Sequence, residues 1–329
     1  MSLVKYLKKV LLAGFSYLPS ELKLLFYRVM GAKIGTNVEL GFGSFIIPFD
    51  GDFKKIHIGN DVVIDDGVQI LTRRLFLGDH TQIKNNTRIW GQSDFTSGRF
   101  VYIDQECHFD LRRNITLGNE VGISGGTWFY THMAFHSVLD GAPAKFGGIT
   151  VGDRTYMGGN VFVLPGITIG HDATIGARAV VTKDVIPDVV MLGNPARETA
   201  RTSHRVRAVA FEEKILIARD ILNDFIHVHN DGITRMIPWD GHNMNFAFHD
   251  REILFLPMID PIPVPEETMK KIKTSHILIS FGIPGEIKAE CDKNAIYWLD
   301  LKSGMRSGKT NKYIKSMEIF FENYGVRLL

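Results

Sequence analysis

Three groups of residues in this sequence are of types that do chemistry. Thr131-His132 opens a segment, 130–150, that also holds His136 and Asp140 and closes on Gly147-Gly148. An imidazole titrates near pH 6.5, so either histidine is suited to take a proton from a hydroxyl or an amine, and a positioned base contributes about 10²–10⁴-fold. A solvated loop histidine is the plainer alternative. The second group, Ser303-Gly304-Met305-Arg306-Ser307-Gly308-Lys309-Thr310, follows a strand-like run at 295–301 and has the outline of a phosphate-binding loop. Its first glycine is replaced by Ser303 and no second acidic strand follows, so a polar turn before a helix is the better reading. The third, His227-Val228-His229 with Asp231 and His242, has spacings that fit no common zinc arrangement, and no metal is expected.

What must position the first group is a repeat of six residues. From Val151 the apolar beat runs Val151, Met157, Val163, Ile169, Ile175, Val181 and then Pro187, with glycine directly after it at Gly152, Gly158, Gly170 and Gly176. Small or β-branched residues stand two positions earlier, at Thr155, Val161, Ile167, Ala173 and Ala179. Shorter runs keep the same beat: Ile34/Leu40/Ile46, Ile58/Ile64/Ile70, Leu77/Ile83/Ile89, Ile103/Phe109/Ile115 and Leu117/Ile123/Phe129. Neither a helix (3.6) nor a simple strand (2.0) sustains a period of six. A short strand followed by a tight turn does, and three such units close one coil. Stacked coils bury a continuous aliphatic column, and several are needed before it is stable. Between Phe129 and Val151 the beat stops, so 130–150 leaves the coil as a loop, the kind of interruption where binding residues collect.

These motifs resemble the hexapeptide-repeat acyltransferases, most closely at 149–197, and look like the galactoside and maltose acetyltransferases and the capsule and lipopolysaccharide sugar acetyltransferases. The resemblance covers roughly 31–200. It implies a mainly β fold, a left-handed parallel β-helix, that assembles as a homotrimer and uses acetyl-CoA. It gives His132 the role of general base, with His136 as the competing base or an acceptor contact. Asp140 is a candidate to orient the ring or meet the acceptor, and Asp104 stands about where relatives place an acceptor-binding Asn or Asp. For coenzyme A it implies Gly159 as backbone donor to the thioester oxygen and Ala177 as the small residue beside the pantetheine arm. Thr182 and Lys183 fall near the nucleotide end, and Arg197 meets the phosphates with Arg201 beside it. The implied reaction is acetyl transfer to a sugar hydroxyl of a glycan or glycan precursor. N-acetylation of a nucleotide-linked amino sugar and a non-catalytic trimeric β-helix scaffold are the alternatives.

Composition agrees with an ordered protein: 329 residues, 45% hydrophobic, 22% charged. A formal net charge of +2 provides no field for nucleic acid, and none is expected as a partner. Cys107 and Cys291 make no disulfide framework and fit a reducing, cytoplasmic compartment. Lys5, Lys8 and Lys9 precede a short apolar run, 10–18, and a second amphipathic stretch, 22–30. The run is far shorter than the about 20 residues of a membrane span. Residues 1–30 therefore read as a helical segment, with peripheral membrane contact as its second use. After Arg201 the beat vanishes. A helix at 208–227, strands at 234–238, 245–248, 252–257, 277–281 and 295–301, and a helix at 311–323 make 201–329 an α/β domain of its own.

Overall fold

The computed structural model describes residues 14–134, 137–201, 209–241, 243–257, 264–307, 312–323 and 326. The chain divides into two compact units, Met1–Arg207 and Ala208–Leu329. In the first, the six-residue beat becomes three parallel sheets visited in strict rotation. Face one stacks Lys33–Ile34, Ile56–Ile58, Leu75–Leu77, Phe95–Ser97, Ile115–Leu117, Ile149–Val151 and Thr168–Ile169. Face two runs from Glu39–Leu40 to Thr174–Ile175 and ends on an antiparallel hairpin, Val189–Leu192 with Arg197–Arg201. Face three runs from Phe45–Pro48 to Val180–Val181.

The beat residues point inward: Ile64, Ile70, Ile83, Ile89, Ile103, Phe109, Ile123, Phe129, Met157, Val163, Ile169, Ile175 and Val181 are all buried. The last expected member is a correction. Pro187 is exposed, and Val185 and Val189 carry the interior on instead. The final coil is short there, since Val185 bridges Ile169 directly. Coils also differ lower down. Val151 to Ile169 is 18 residues, but Leu77 to Ser97 is 20, because face three then holds four-residue strands. That extra pair moves the beat by two within 101–117, from Ile115 to Leu117. Phe95, Phe109 and Phe129 fill the interior at this level, with ring centroids 5.3 and 4.7 Å apart.

The corners need a left-handed backbone on every rung. Asp61, His80, Phe100, Glu120, Arg154, Asp172 and Asp188 hold positive φ between faces one and two, and Asn86, Glu106, Asn160 and Arg178 between faces two and three. Asn and Asp tolerate this best, and an Asp just before the corner residue ties it to the rung below. Asp79 Oδ1 accepts from Asn60 N at 2.7 Å, and Asp153 Oδ1 from Asn119 N at 2.8 Å. The open first rung is met by the helix Ser20–Val29, which buries Leu24 and Tyr27. Lys23, fully buried, donates through Nζ to the carbonyls of Ser16, Gly41 and Ser44. No helix among the described residues is long and apolar enough to cross a membrane. Lys5, Lys8 and Lys9 lie outside the described residues.

The second unit is a six-stranded mixed sheet between helices. Ile233–Ile237, Met244–Phe248 and Arg251–Phe255 form an antiparallel meander. Ile277–Ser280 and Tyr297–Asp300 continue it in parallel, and Met305–Arg306 closes the edge antiparallel. Leu222 and Phe225 of Phe211–Val228 meet Phe246, Phe255, Met317 and Phe321 in one core layer. Ile272, Ile287 and Cys291 meet Leu254, Leu278 and Trp298 in another. The two helices of that second layer, Glu266–Thr274 and Gly285–Lys293, are additions to the elements expected from sequence.

The residues around 303–307 form a turn into the edge strand, with Arg306 Nη1 2.9 Å from Glu318 Oε1; Gly308, Lys309 and Thr310 lie outside the described residues. His229 is packed on Phe225, its ring centroid 4.4 Å away, and His242 also lies outside the described residues. Among the described residues no three His, Cys, Asp or Glu side chains gather as a metal site. Both cysteines are free and buried, and burial pushes each thiol up to about 12, so neither is a ready nucleophile.

Candidate active site

The 130–150 segment leaves the corner between faces three and one. Its two ends pair with each other: His132–Met133 lies antiparallel to Lys145–Phe146, in the register His132↔Phe146 and Met133↔Lys145. Thr131 anchors the exit. It is fully buried, its Oγ1 donates to Asp110 O at 2.6 Å and accepts from Arg113 N at 3.0 Å, and its carbonyl accepts from Gly147 N at 3.0 Å. The return needs glycine for space. A Cβ on Gly147 would stand 2.4 Å from Gly166 Cα, and one on Gly148 2.9 Å from Asn114 O. A fixed loop base is the result.

His132 Nδ1 lies 2.5 Å from Asp110 Oδ2. A carboxylate accepts, so Nδ1 carries the proton and Nε2 is left as the basic nitrogen. Asp110 belongs to the rung below, where it pairs with Tyr130, and its second contact is Thr131 N at 3.3 Å. Both side chains are mostly shielded, the imidazole 30% exposed and the carboxylate 14%. Phe146 stacks beside the imidazole at 6.1 Å and also takes the Arg113 guanidinium at 5.1 Å. The ring is thus oriented by Asp110. Asp140, expected as a candidate for that task, sits instead in the exposed turn Val138–Asp140. His136 lies outside the described residues.

The remaining candidates fall on separate corners. Thr182 and Lys183 share the corner of His132, further along the stack. Asp104, Gly159 and Ala177 stand on the corner between faces two and three. There Asp104 Oδ2 accepts from Gly125 N at 3.2 Å, and Gly125 and Gly159 occupy the next rungs. Gly125, Gly159 and Ala177 put nothing larger than a methyl on three successive rungs, which leaves that edge open. A Cβ on Gly159 would meet only Gly125 O, at 3.4 Å. Among the described residues no acceptor meets the Gly159 N–H. Arg197 pairs with Leu192 in the terminal hairpin and points its Nη1 at Ala196 O, 3.2 Å away. Arg201 lies at the other end of that hairpin, its Nη1 3.4 Å from Pro187 O. Face three separates the Asp104–Gly159–Ala177 edge from the His132–Lys183 edge. Its outer surface carries Trp128, Tyr130 and Phe162, nearly parallel rings with centroids 5.8 to 6.3 Å apart.

A candidate acetyltransferase of Staphylococcus aureus (strain MRSA252) is 38% identical over 122 residues, covering 36% of this chain and 61% of that one. Over that stretch this chain is similar to a bacterial acetyltransferase. A candidate colanic acid biosynthesis acetyltransferase of Escherichia coli (strain K12) is 29% identical over 140 residues, 42% of this chain and 65% of that one. The chain therefore spans under two thirds of the length of either relative. The crystal structure of a maltose O-acetyltransferase from Clostridium difficile 630 superposes with a TM-score of 0.33 at 21% identity, over 60% of this chain and 84% of that one. No family model matches.

Asp110, Arg113 and Phe146 belong to the histidine's surroundings and were not among the sequence candidates. Phe146 was hidden because its pairing with His132 depends on where the loop turns back. Asp110 had one usable cue: in a coil of 20 residues it lies directly beneath Tyr130, two positions before the histidine.

Proposed function

We propose that the chain is an acetyl-CoA-dependent acyltransferase, a left-handed β-helix acting as a homotrimer, that acetylates a sugar hydroxyl of a glycan or glycan precursor. The observation that carries this reading is the Asp110–His132 pair on an interrupted corner of the coil. The similarity to acetyltransferases and the Gly159–Ala177 edge supply the rest.

In the proposed reaction the acceptor hydroxyl gives its proton to His132 Nε2 as its oxygen attacks the thioester carbonyl carbon. Asp110 stabilises the imidazolium that forms and holds Nδ1–H in place. The carbonyl oxygen becomes an oxyanion, for which the Gly159 N–H is the proposed donor. The C–S bond then breaks, the acyl group stays on the acceptor oxygen, and the coenzyme thiolate leaves with the proton held by the His132 imidazolium, which restores the neutral base. Thr182, Lys183, Arg197 and Arg201 are the proposed contacts of the coenzyme's nucleotide and phosphates, and Asp104 and His136 those of the acceptor. The aromatic rings on face three supply an apolar surface of the kind that meets the hydrophobic face of a sugar ring.

Thiol release from acetyl-CoA, measured against a panel of sugars, nucleotide sugars and amino acids, tests this directly. His132→Ala is expected to lower kcat by about 10²–10⁴ and leave acetyl-CoA affinity nearly unchanged. A product whose acetyl group survives mild alkali would replace the hydroxyl by an amine. Absence of thiol release with every acceptor would favour a scaffold.

A further inference from the structure

The corner between faces three and one is interrupted twice. The upper interruption carries His132. The lower one is 49–55, closed by the short turn Phe53–Lys55. Beside it Lys54, Lys55, His57, Arg74, Phe76 and Thr96 line a concavity of about 480 Å³. His57, Phe76 and Thr96 form one outward column on face one, and the first two rings meet edge-to-face at 6.3 Å. The acyl transfer described above uses none of these residues.

The carboxylates nearby are Asp50, Asp52 and Asp94, and two cations already serve them. Lys55 pairs with Asp50 and lies 3.9 Å from Asp52. Arg73 holds Asp94 with bonds of 2.8 and 2.9 Å, which keeps that carboxyl below its ordinary range, with Arg74 and Lys55 adding to the effect from further off. Among the described residues Lys54 and Arg74 make no ion pair or hydrogen bond through their side chains. Lys54 is nevertheless held, since its stem packs under Gly31, where a Cβ would come within 2.9 Å of Lys54 Cγ. Two unpaired cations, an imidazole and a hydroxyl around one hollow are what a phosphate group needs: charge from the cations and directed donors from the others.

We infer that this pocket binds a phosphate or pyrophosphate group, the anionic anchor of a phosphate-linked oligosaccharide acceptor whose far sugar reaches His132. The pairing Ile56–Leu75–Phe95–Ile115–Ile149 sets the two interruptions four rungs apart on one edge. At 4.7–4.9 Å per rung that is about 19 Å, the reach of several linked sugars and not of one. The acceptor half of this inference rests on the acyltransferase reading; the anion site does not.

Calorimetry of the full chain with inorganic pyrophosphate at low ionic strength tests the anion site without any acyl transfer. Saturable binding is expected, weakened at least about tenfold in Arg74→Glu and in the milder Lys54→Gln, and unchanged in His132→Ala. Absence of binding, or undiminished binding in both pocket variants, overturns the site. Competition by a nucleoside diphosphate would make the anchor a nucleotide, and competition by phosphatidylglycerol vesicles would make it a lipid. If neither competes, the acceptor half falls. In thiol-release assays the pocket variants should keep kcat with a short uncharged sugar and raise KM for a phosphate-linked one; an equal KM for both overturns the link to His132. A wild-type chain without acyl transfer would sink the reaction and leave the pyrophosphate result standing.

Discussion

Asp110→Ala separates an oriented imidazole from a merely placed one. The contact the imidazole loses is its hydrogen bond of 2.5 Å from Nδ1 to a carboxylate that is 14% exposed, and the weaker Thr131 N contact at 3.3 Å goes with it. Hydrogen bonds to charged groups contribute about 1.5–3 kcal/mol. In the proposed reaction this bond strengthens as the ring becomes cationic, so that energy is lost from the transition state. At about 1.4 kcal/mol per tenfold, kcat should fall roughly 10- to 150-fold. Asp110→Asn keeps an acceptor oxygen and loses the charge, and should fall between the wild type and Asp110→Ala. Asp140→Ala is the control, expected to stay within about twofold because its exposed turn makes no part of the pair. Initial rates of thiol release at saturating acetyl-CoA measure all three. Melting curves show whether the lost Thr131 N contact loosens the corner itself. Near-normal kcat in Asp110→Ala, with a large loss in Asp140→Ala, would refute the reasoning and move the orienting group into the loop.

Ala177→Trp should abolish acetyl-CoA binding by calorimetry while leaving the melting temperature nearly unchanged, because the side chain would project from an edge that Gly159 keeps open. Lys23→Met should lower stability by about 1–3 kcal/mol, read from denaturant midpoints, because buried carbonyl oxygens at the first rung lose their donor. Asp172 is held down to about 2, chiefly by its hydrogen bonds from Arg154 with His171 adding. A depressed carboxyl stabilises above its unfolded value and loses that contribution as pH falls through the folded one. The melting-temperature gap between wild type and Asp172→Asn should therefore shrink between about pH 4 and pH 2.

The coil was legible because its signal is local and repeated: the spacing that turns the chain also aims the apolar residue inward, so Val151 to Val181 reads without a partner sequence. The same regularity misleads where a coil changes length. Pro187 keeps the count of six but not the geometry, and the extra residues at 108–111 blur the beat without breaking the stack. His132 was legible as the residue type that stands where the beat stops. Its partner was not, since Asp110 is 22 residues away and meets it only through rung-to-rung stacking. In the second unit the missed helices carry only a thin apolar stripe. Glu266–Thr274 buries Ile272 alone, and Gly285–Lys293 buries Ile287 and Cys291, so charge outweighs periodicity in both.

The separation of the candidate residues bears on how many chains one site requires. In the proposed reaction His132 Nε2 and the Gly159 N–H act on adjacent atoms of one tetrahedral intermediate, a few ångströms apart. Within one chain they lie on different corners. Five residues, 161–165, cross face three between them, and at about 3.3 Å per residue that is roughly 17 Å. A proton moves directly only across about 3 Å. No rotamer of a side chain as short as histidine closes such a gap, whereas two copies set corner to corner do so without changing either fold. The prediction is complementation. In the proposed homotrimer, His132→Ala and Ala177→Trp should each be inactive alone, and co-refolding them in equal amounts should restore about a quarter of wild-type activity, the share of interfaces that draw both intact corners from different chains. Light scattering should show about three times the 37.0 kDa chain mass for both variants and the mixture. Equal inactivity of the mixture and the separate variants, with assembly intact, would place the base and the thioester site in the same subunit and require the loop to move across face three.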